Sequence, residues 1–73
     1  MFITLREYII NIKEILYIEL YKKANGINLI IIVLKNKYTI ELYKLEGQSN
    51  NDLKVEFDDI FNIVRNGGVF KND

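Results

Sequence analysis

Apolar and polar positions alternate over much of this chain, and in one stretch the alternation fails. Leu29-Ile30-Ile31-Ile32-Val33-Leu34 is apolar at every position. A strand built from it presents aliphatic side chains to both faces of its sheet. The period of two returns on either side. Ile15 to Lys22 carries Leu16, Ile18 and Leu20 on one face and Ile15, Tyr17, Glu19 and Tyr21 on the other. Tyr38 to Lys44 alternates in the same way. Ala24-Asn25-Gly26 lies between the first two runs, and Asn-Gly is a strong turn signal. Asn36-Lys37 reads as a two-residue hairpin loop between the second and third. That loop places Lys35 opposite Tyr38, Val33 opposite Ile40 and Ile31 opposite Leu42. Ile30, Ile32 and Leu34 then share a face with Thr39, Glu41 and Tyr43. A one-residue slip would exchange the two sets.

Two short apolar runs, Phe2 to Leu5 and Tyr8 to Ile12, flank a turn at Arg6-Glu7. They can pair within the sheet or swap into a neighbour. After a polar break over Gly47 to Asn51 the spacing becomes helical. Leu53, Phe57, Ile60, Phe61 and Val64 form one stripe of a helix from about Asn50 to Asn66. Ser49 with Asp52 three residues on imitates a capping box with a shorter acid. Asp52, Glu56, Asp58 and Asp59 near its start and Arg65 in its last turn suit the helix dipole. Gly67 is placed to form a left-handed cap, and Val69 and Phe70 to return against the sheet.

The expected fold is therefore α+β: one small domain over residues 1–73, with an antiparallel sheet of four to five strands and one C-terminal helix packed on one face. Leu16, Ile18 and Leu20 are expected beneath the helix. The opposite face, with Tyr17, Tyr21, Ile30, Ile32, Leu34 and Tyr43, then lacks cover from its own chain and is the expected interface.

Composition sharpens this expectation. Ordering a chain costs roughly 1.5 kcal/mol per residue, which the burial open to a small domain roughly cancels, so small folds commonly need a staple. The chain has no Cys and no His, which excludes a disulfide and the usual zinc ligands. Association with a second copy is the remaining staple. Ten basic and ten acidic residues balance, which argues against binding nucleic acid mainly through phosphates. No basic leader precedes the first apolar stretch, and Arg6 and Glu7 interrupt it. No apolar run approaches the length of a membrane span. The absence of Cys fits a reducing cytoplasm, the expected location, without fixing it, and the short apolar runs imply no membrane partner.

Little in the chain suggests catalysis. Ser49, the only serine, stands where a helix cap belongs and has no base beside it. Asp58 and Asp59 are adjacent on a helix and diverge. Asp52 and Glu56 share a face, but nothing completes an oxygen cage around a metal. No cofactor is implied. Glu19 and Glu41 fall on the tyrosine face, flanking the central strand. Lys22, Lys23 and Lys44 gather at one end of the sheet, and Lys35 and Lys37 at the other. With Arg65 beside the glycines that follow the helix, Lys22, Lys23 and Lys44 are the candidate contacts for an anionic, nucleotide-like ligand.

The segment Ile12-Lys13-Glu14-Ile15-Leu16-Tyr17-Ile18-Glu19 resembles the Ile-x-x-Ile-x-Tyr-Ile-Glu opening of LytTR-type DNA-binding domains. That resemblance implies a nucleic-acid-binding module, although the family's later basic strand-and-loop segments have no counterpart here. The whole layout is similar to that of short β-meander-plus-helix proteins encoded by phages and mobile elements of low-GC bacteria. The shared features are size, the Ile/Asn/Lys bias and the final helix with its Gly-Gly stop. This second resemblance implies a stoichiometric inhibitor of host defence that binds a protein or sequesters a nucleotide. The sequence is therefore expected to encode a non-enzymatic, homo-oligomeric binding protein, with the LytTR-like module as the alternative.

Overall fold

The computed structural model describes residues 1–24 and 26–66. Its elements are β1 (Phe2–Leu5), β2 (Tyr8–Asn11), a 3-10 turn (Ile12–Glu14), β3 (Ile15–Lys22), β4 (Asn28–Leu34), β5 (Thr39–Tyr43) and α1 (Asn50–Arg65). The fold is α+β, and every strand pairing is antiparallel. The five strands do not share one sheet as expected. They form a β1–β2 hairpin and a separate meander in the order β3-β4-β5. The 3-10 turn separates the two. Asn11 caps it by accepting from the Lys13 N–H, and the Ile12 N–H donates to the Met1 carbonyl, so the chain bends before β3 begins.

The hairpin is a second cover for the meander. Its register pairs Ile3 with Ile10 and Leu5 with Tyr8. These four residues join the core cluster of Ile15, Ile30, Ile32, Ile40, Leu42, Leu53 and Ile60. Phe2 and Ile9, on the other hairpin face, are 67% and 73% exposed. α1 lies across β3 and β4, with Leu53 and Ile60 buried and Phe57 and Val64 packed against the same cluster. Its start is fixed by the expected capping box: the Asp52 N–H donates to Ser49 Oγ, and the Ser49 N–H to Asp52 Oδ2, each at 3.0 Å. The expected Gly67 cap and the return of Val69 and Phe70 lie outside the described residues, as does Asn25 of the first turn.

The register of β4 differs from expectation by one residue. Leu34 N–H donates to the Tyr38 carbonyl and Lys37 N–H to the Leu34 carbonyl, both at 2.9 Å. The loop is therefore Lys35-Asn36-Lys37, three residues rather than two. Lys37 takes a left-handed φ of +72°, completing the turn-plus-bulge form usual for that length. Asn36 supports it by accepting from the Tyr38 N–H at 2.9 Å. Ile32 faces Ile40 and Ile30 faces Leu42, so Ile30 and Ile32 are fully buried beneath the covers. Leu34 packs against the same core. These three residues were expected on the open face and do not lie there.

A second shift affects β3. Ile15 faces Leu34 and Tyr17 faces Val33, so Leu16 is an extra, bulged residue. Bulging changes the side-chain parity. Ile15 is thus turned into the core, and Leu16, expected under the helix, is 60% exposed. Ile18 and Leu20 face the core as expected.

This register predicts a contrast between neighbours. Ile32→Ala should cost about 2–5 kcal/mol, the usual loss for a sealed aliphatic residue, and Ile31→Ala markedly less. Urea denaturation of the two variants checks it; equal losses would contradict the register.

Candidate functional site

The face of the meander turned away from α1 and the hairpin is organised in three rows across the strands. From one end these are Tyr21–Leu29–Tyr43, Glu19–Ile31–Glu41 and Tyr17–Val33–Thr39. Alternation in β3 and β5 places every outer member of these rows, and Tyr17, Tyr21, Tyr43, Glu19 and Glu41 lie on the face where they were expected. The middle members are Leu29, Ile31 and Val33 rather than Ile30, Ile32 and Leu34.

Leu29 is fully buried although it belongs to this face. It stands between Tyr21 and Tyr43 in the ladder. Tyr17, Tyr21 and Tyr43 are each about half exposed, at 50%, 46% and 41%. The surface offered to a partner is therefore mostly aromatic, crossed by a bar of two carboxylates around Ile31.

Side-chain hydrogen bonds order one end of this face. Tyr43 Oη accepts from Lys23 Nζ at 3.3 Å and donates to Glu41 Oε2 at 3.2 Å. The Lys23 ammonium also stands 5.3 Å from the centre of the Tyr43 ring, a cation–π geometry. The Tyr43 hydrogen bond, with help from nearby Glu41, holds the Lys23 pKa above its ordinary value. Lys22 and Lys44 are exposed at this same end, as expected. Arg65 does not join them. It lies in the last turn of α1 and stands over Phe61 of its own helix at 6.0 Å. The Arg65 neighbourhood toward Gly67 and Gly68 lies outside the described residues.

Most other candidate groups have structural work. Ser49 and Asp52 cap α1, and Asp58 pairs with Lys54 at 3.1 Å. Among the described residues no three or more His, Cys, Asp or Glu side chains form a group able to hold a metal ion. None of the described helices is long and apolar enough to cross a membrane.

A polar clamp beside this face was not foreseen. Arg6, in the β1–β2 turn, donates to both Glu56 oxygens of α1, Nε to Oε2 at 3.0 Å and Nη2 to Oε1 at 2.8 Å. Its Nη1 donates to the Tyr43 carbonyl at the end of β5. Gln48 donates to Glu56 Oε1 at 3.1 Å and accepts from the Leu45 N–H at 3.0 Å. The side chains of Arg6 and Glu56 are only 17% and 26% exposed. Arg6 holds a left-handed φ of +54°, a conformation that costs an ordinary residue about 1–2 kcal/mol. Fifty positions separate the two partners, and no local pattern signals a pair so remote. Comparison of the chain with protein-family models, with curated proteins and with solved structures found no match.

The clamp has a pH signature. The Arg6 hydrogen bond, aided by Gln48, lowers the Glu56 pKa against the opposing effect of burial. A lowered folded pKa stabilises the fold above the unfolded carboxylate value of about 4.3 and loses that contribution as the pH falls through the folded value. Arg6→Ala should cost about 1–2 kcal/mol at neutral pH, the range for a partly exposed charged hydrogen-bond pair. Glu56→Gln should flatten the loss of melting temperature on acidification below the ordinary carboxylate range. Thermal melts across that range check both, and an unchanged acid slope in Glu56→Gln would contradict the assignment.

Proposed function

We propose that this protein is a non-enzymatic binding protein that self-associates and meets a protein partner through the open face of the meander. One observation carries the reading: three half-exposed tyrosines, Tyr17 beside Val33 and Tyr21 and Tyr43 on either side of Leu29, share with Ile31 the face of the meander turned away from the core cluster. Tyrosine is enriched at interfaces because its ring supplies dry contact area while its hydroxyl stays hydrogen-bonded. Glu19 and Glu41 add charge that favours a partner with basic groups around an apolar centre. Self-association suits a chain of this size without a disulfide or zinc staple.

A protein partner is favoured over a captured nucleotide by the state of the lysines. Lys23, nearest the tyrosines, is already engaged by Tyr43. Lys22 and Lys44 reach no described anchor that would hold a phosphate in register. The similarity in layout to phage and mobile-element inhibitors makes a host defence factor the proposed class of partner.

Size-exclusion chromatography with light scattering tests self-association, with more than one subunit expected. A lone subunit at the highest soluble concentration, with a melting temperature independent of concentration, would contradict it. For the face, Ile31→Lys should abolish inhibition in a phage-defence assay while retaining a cooperative melt, whereas Ile32→Lys should unfold the protein. Retained inhibition by folded Ile31→Lys would remove the face from the mechanism. A large thermal shift with a nucleotide would replace the protein partner by a small ligand.

A further inference from the structure

The two edges of the meander are defended unequally. Lys23 N–H donates to the Ile27 carbonyl at 2.9 Å, and the register continues through Tyr21–Leu29, Glu19–Ile31 and Tyr17–Val33. Hydrogen-bonded pairs recur at every second residue of an antiparallel ladder. The N–H and C=O groups of Ile18, Leu20 and Lys22 therefore point away from β4. No described strand lies beyond them.

At the opposite edge, the Leu34–Tyr38 bond sets the same alternation, and Thr39, Glu41 and Tyr43 point outward. That edge is short, at five residues. Lys37 and Lys44 flank it, and Arg6 occupies its last carbonyl. These are usual ways of preventing edge pairing. β3 is the longest strand, at eight residues. It has no Pro, the lysines Lys22 and Lys23 stand only at its far end, and its one irregularity, the Leu16 bulge, precedes the outward-facing groups.

We infer that the β3 edge pairs antiparallel with the β3 edge of a second copy, about a twofold axis at Leu20, joining two meanders into one six-stranded sheet. This rests on the proposed self-association and assigns it a surface. The register follows from the side chains. Centring on Leu20 sets Ile18 opposite Lys22 of the second copy and Leu20 opposite its equivalent, so that all six outward groups of each copy are paired. On the open face it sets Glu19 opposite Tyr21 and Tyr17 opposite Lys23, with each Glu19 diagonal to the other copy's Lys23 on one side and to its Glu19 on the other. Centring on Glu19 would oppose two carboxylates, a destabilising arrangement. Centring on Tyr21 would pair fewer backbone groups.

The natural absence of Cys makes cross-linking clean. Glu19→Cys and Tyr21→Cys alter exposed side chains. In the inferred register the two positions face each other as a non-hydrogen-bonded pair, with Cα atoms about 4.5 Å apart, within disulfide reach. A mixture of the two variants should form a disulfide dimer under mild oxidation, and each alone should form far less. Lys22→Pro removes an outward N–H that β4 does not use, a substitution edge strands tolerate. It should weaken the dimer about tenfold or more while far-UV circular dichroism stays native. An oligomer that gives no mixed disulfide and is indifferent to folded Lys22→Pro overturns the β3 edge and leaves self-association through another surface. Self-cross-linking of Tyr21→Cys that matches the mixture overturns the Leu20-centred register. A monomer in light scattering overturns both the edge and the self-association.

Discussion

The structure depends on sealing one aliphatic surface, the row of Ile30, Ile32, Ile40 and Leu42 on the inner face of the meander. All four are 5% exposed or less. A helix is about 10 Å across and strands lie about 4.8 Å apart, so one helix shields about two strands. α1 spends that width on β3 and β4. The β1–β2 hairpin adds further cover, with Leu5 and Ile10 in the same core cluster as Ile40 and Leu42 of β5. A lone hairpin is only marginally stable in water, so this cover must be fastened. Leu5 and Ile10 anchor it through the core, and Arg6 ties its turn to α1 and to the end of β5. The left-handed backbone at Arg6 is sustained by that attachment.

Much of this was legible in the sequence where a residue carries directional information. The capping box at Ser49 and Asp52 and the helical stripe through Leu53 and Ile60 are local signals, and they located α1. The alternation of β3 and β5 placed the tyrosines and glutamates on the correct face because polar and apolar positions differ. β4 offers no such contrast. With both faces aliphatic, its orientation is set by the Lys35-Asn36-Lys37 loop, and the left-handed residue there is a lysine rather than the glycine or asparagine that would announce it. The Leu16 bulge is silent for the same reason. The alternation of Ile3, Leu5, Tyr8 and Ile10 suits a sheet extension as well as a separate cover, so the pattern alone did not separate the two.

The corrected register changes the nature of the open face. With Ile30, Ile32 and Leu34 there, it would be a greasy surface requiring burial against almost anything apolar. With Leu29 in the Tyr21–Tyr43 row and Ile31 in the Glu19–Glu41 row, Leu29 is buried and Ile31 and Val33 are partly buried. What remains is aromatic and hydrogen-bonding, which favours selective contacts over non-specific aggregation. The Lys23–Tyr43–Glu41 chain fits that character, since it orients one phenol before any partner arrives.

β3 links this face to the edge, because its odd residues furnish the former and its even residues the outward backbone groups of the latter. An edge dimer would therefore leave the tyrosines uncovered and bring two sets of them onto one continuous surface. Two equivalent faces held in fixed relation gain avidity for a partner that is itself symmetric or repeated. A face-to-face dimer would bury the same tyrosines and remove the surface from use. Under the proposed function, in which the protein self-associates and binds a partner through that face, the edge is the arrangement in which the two activities do not compete.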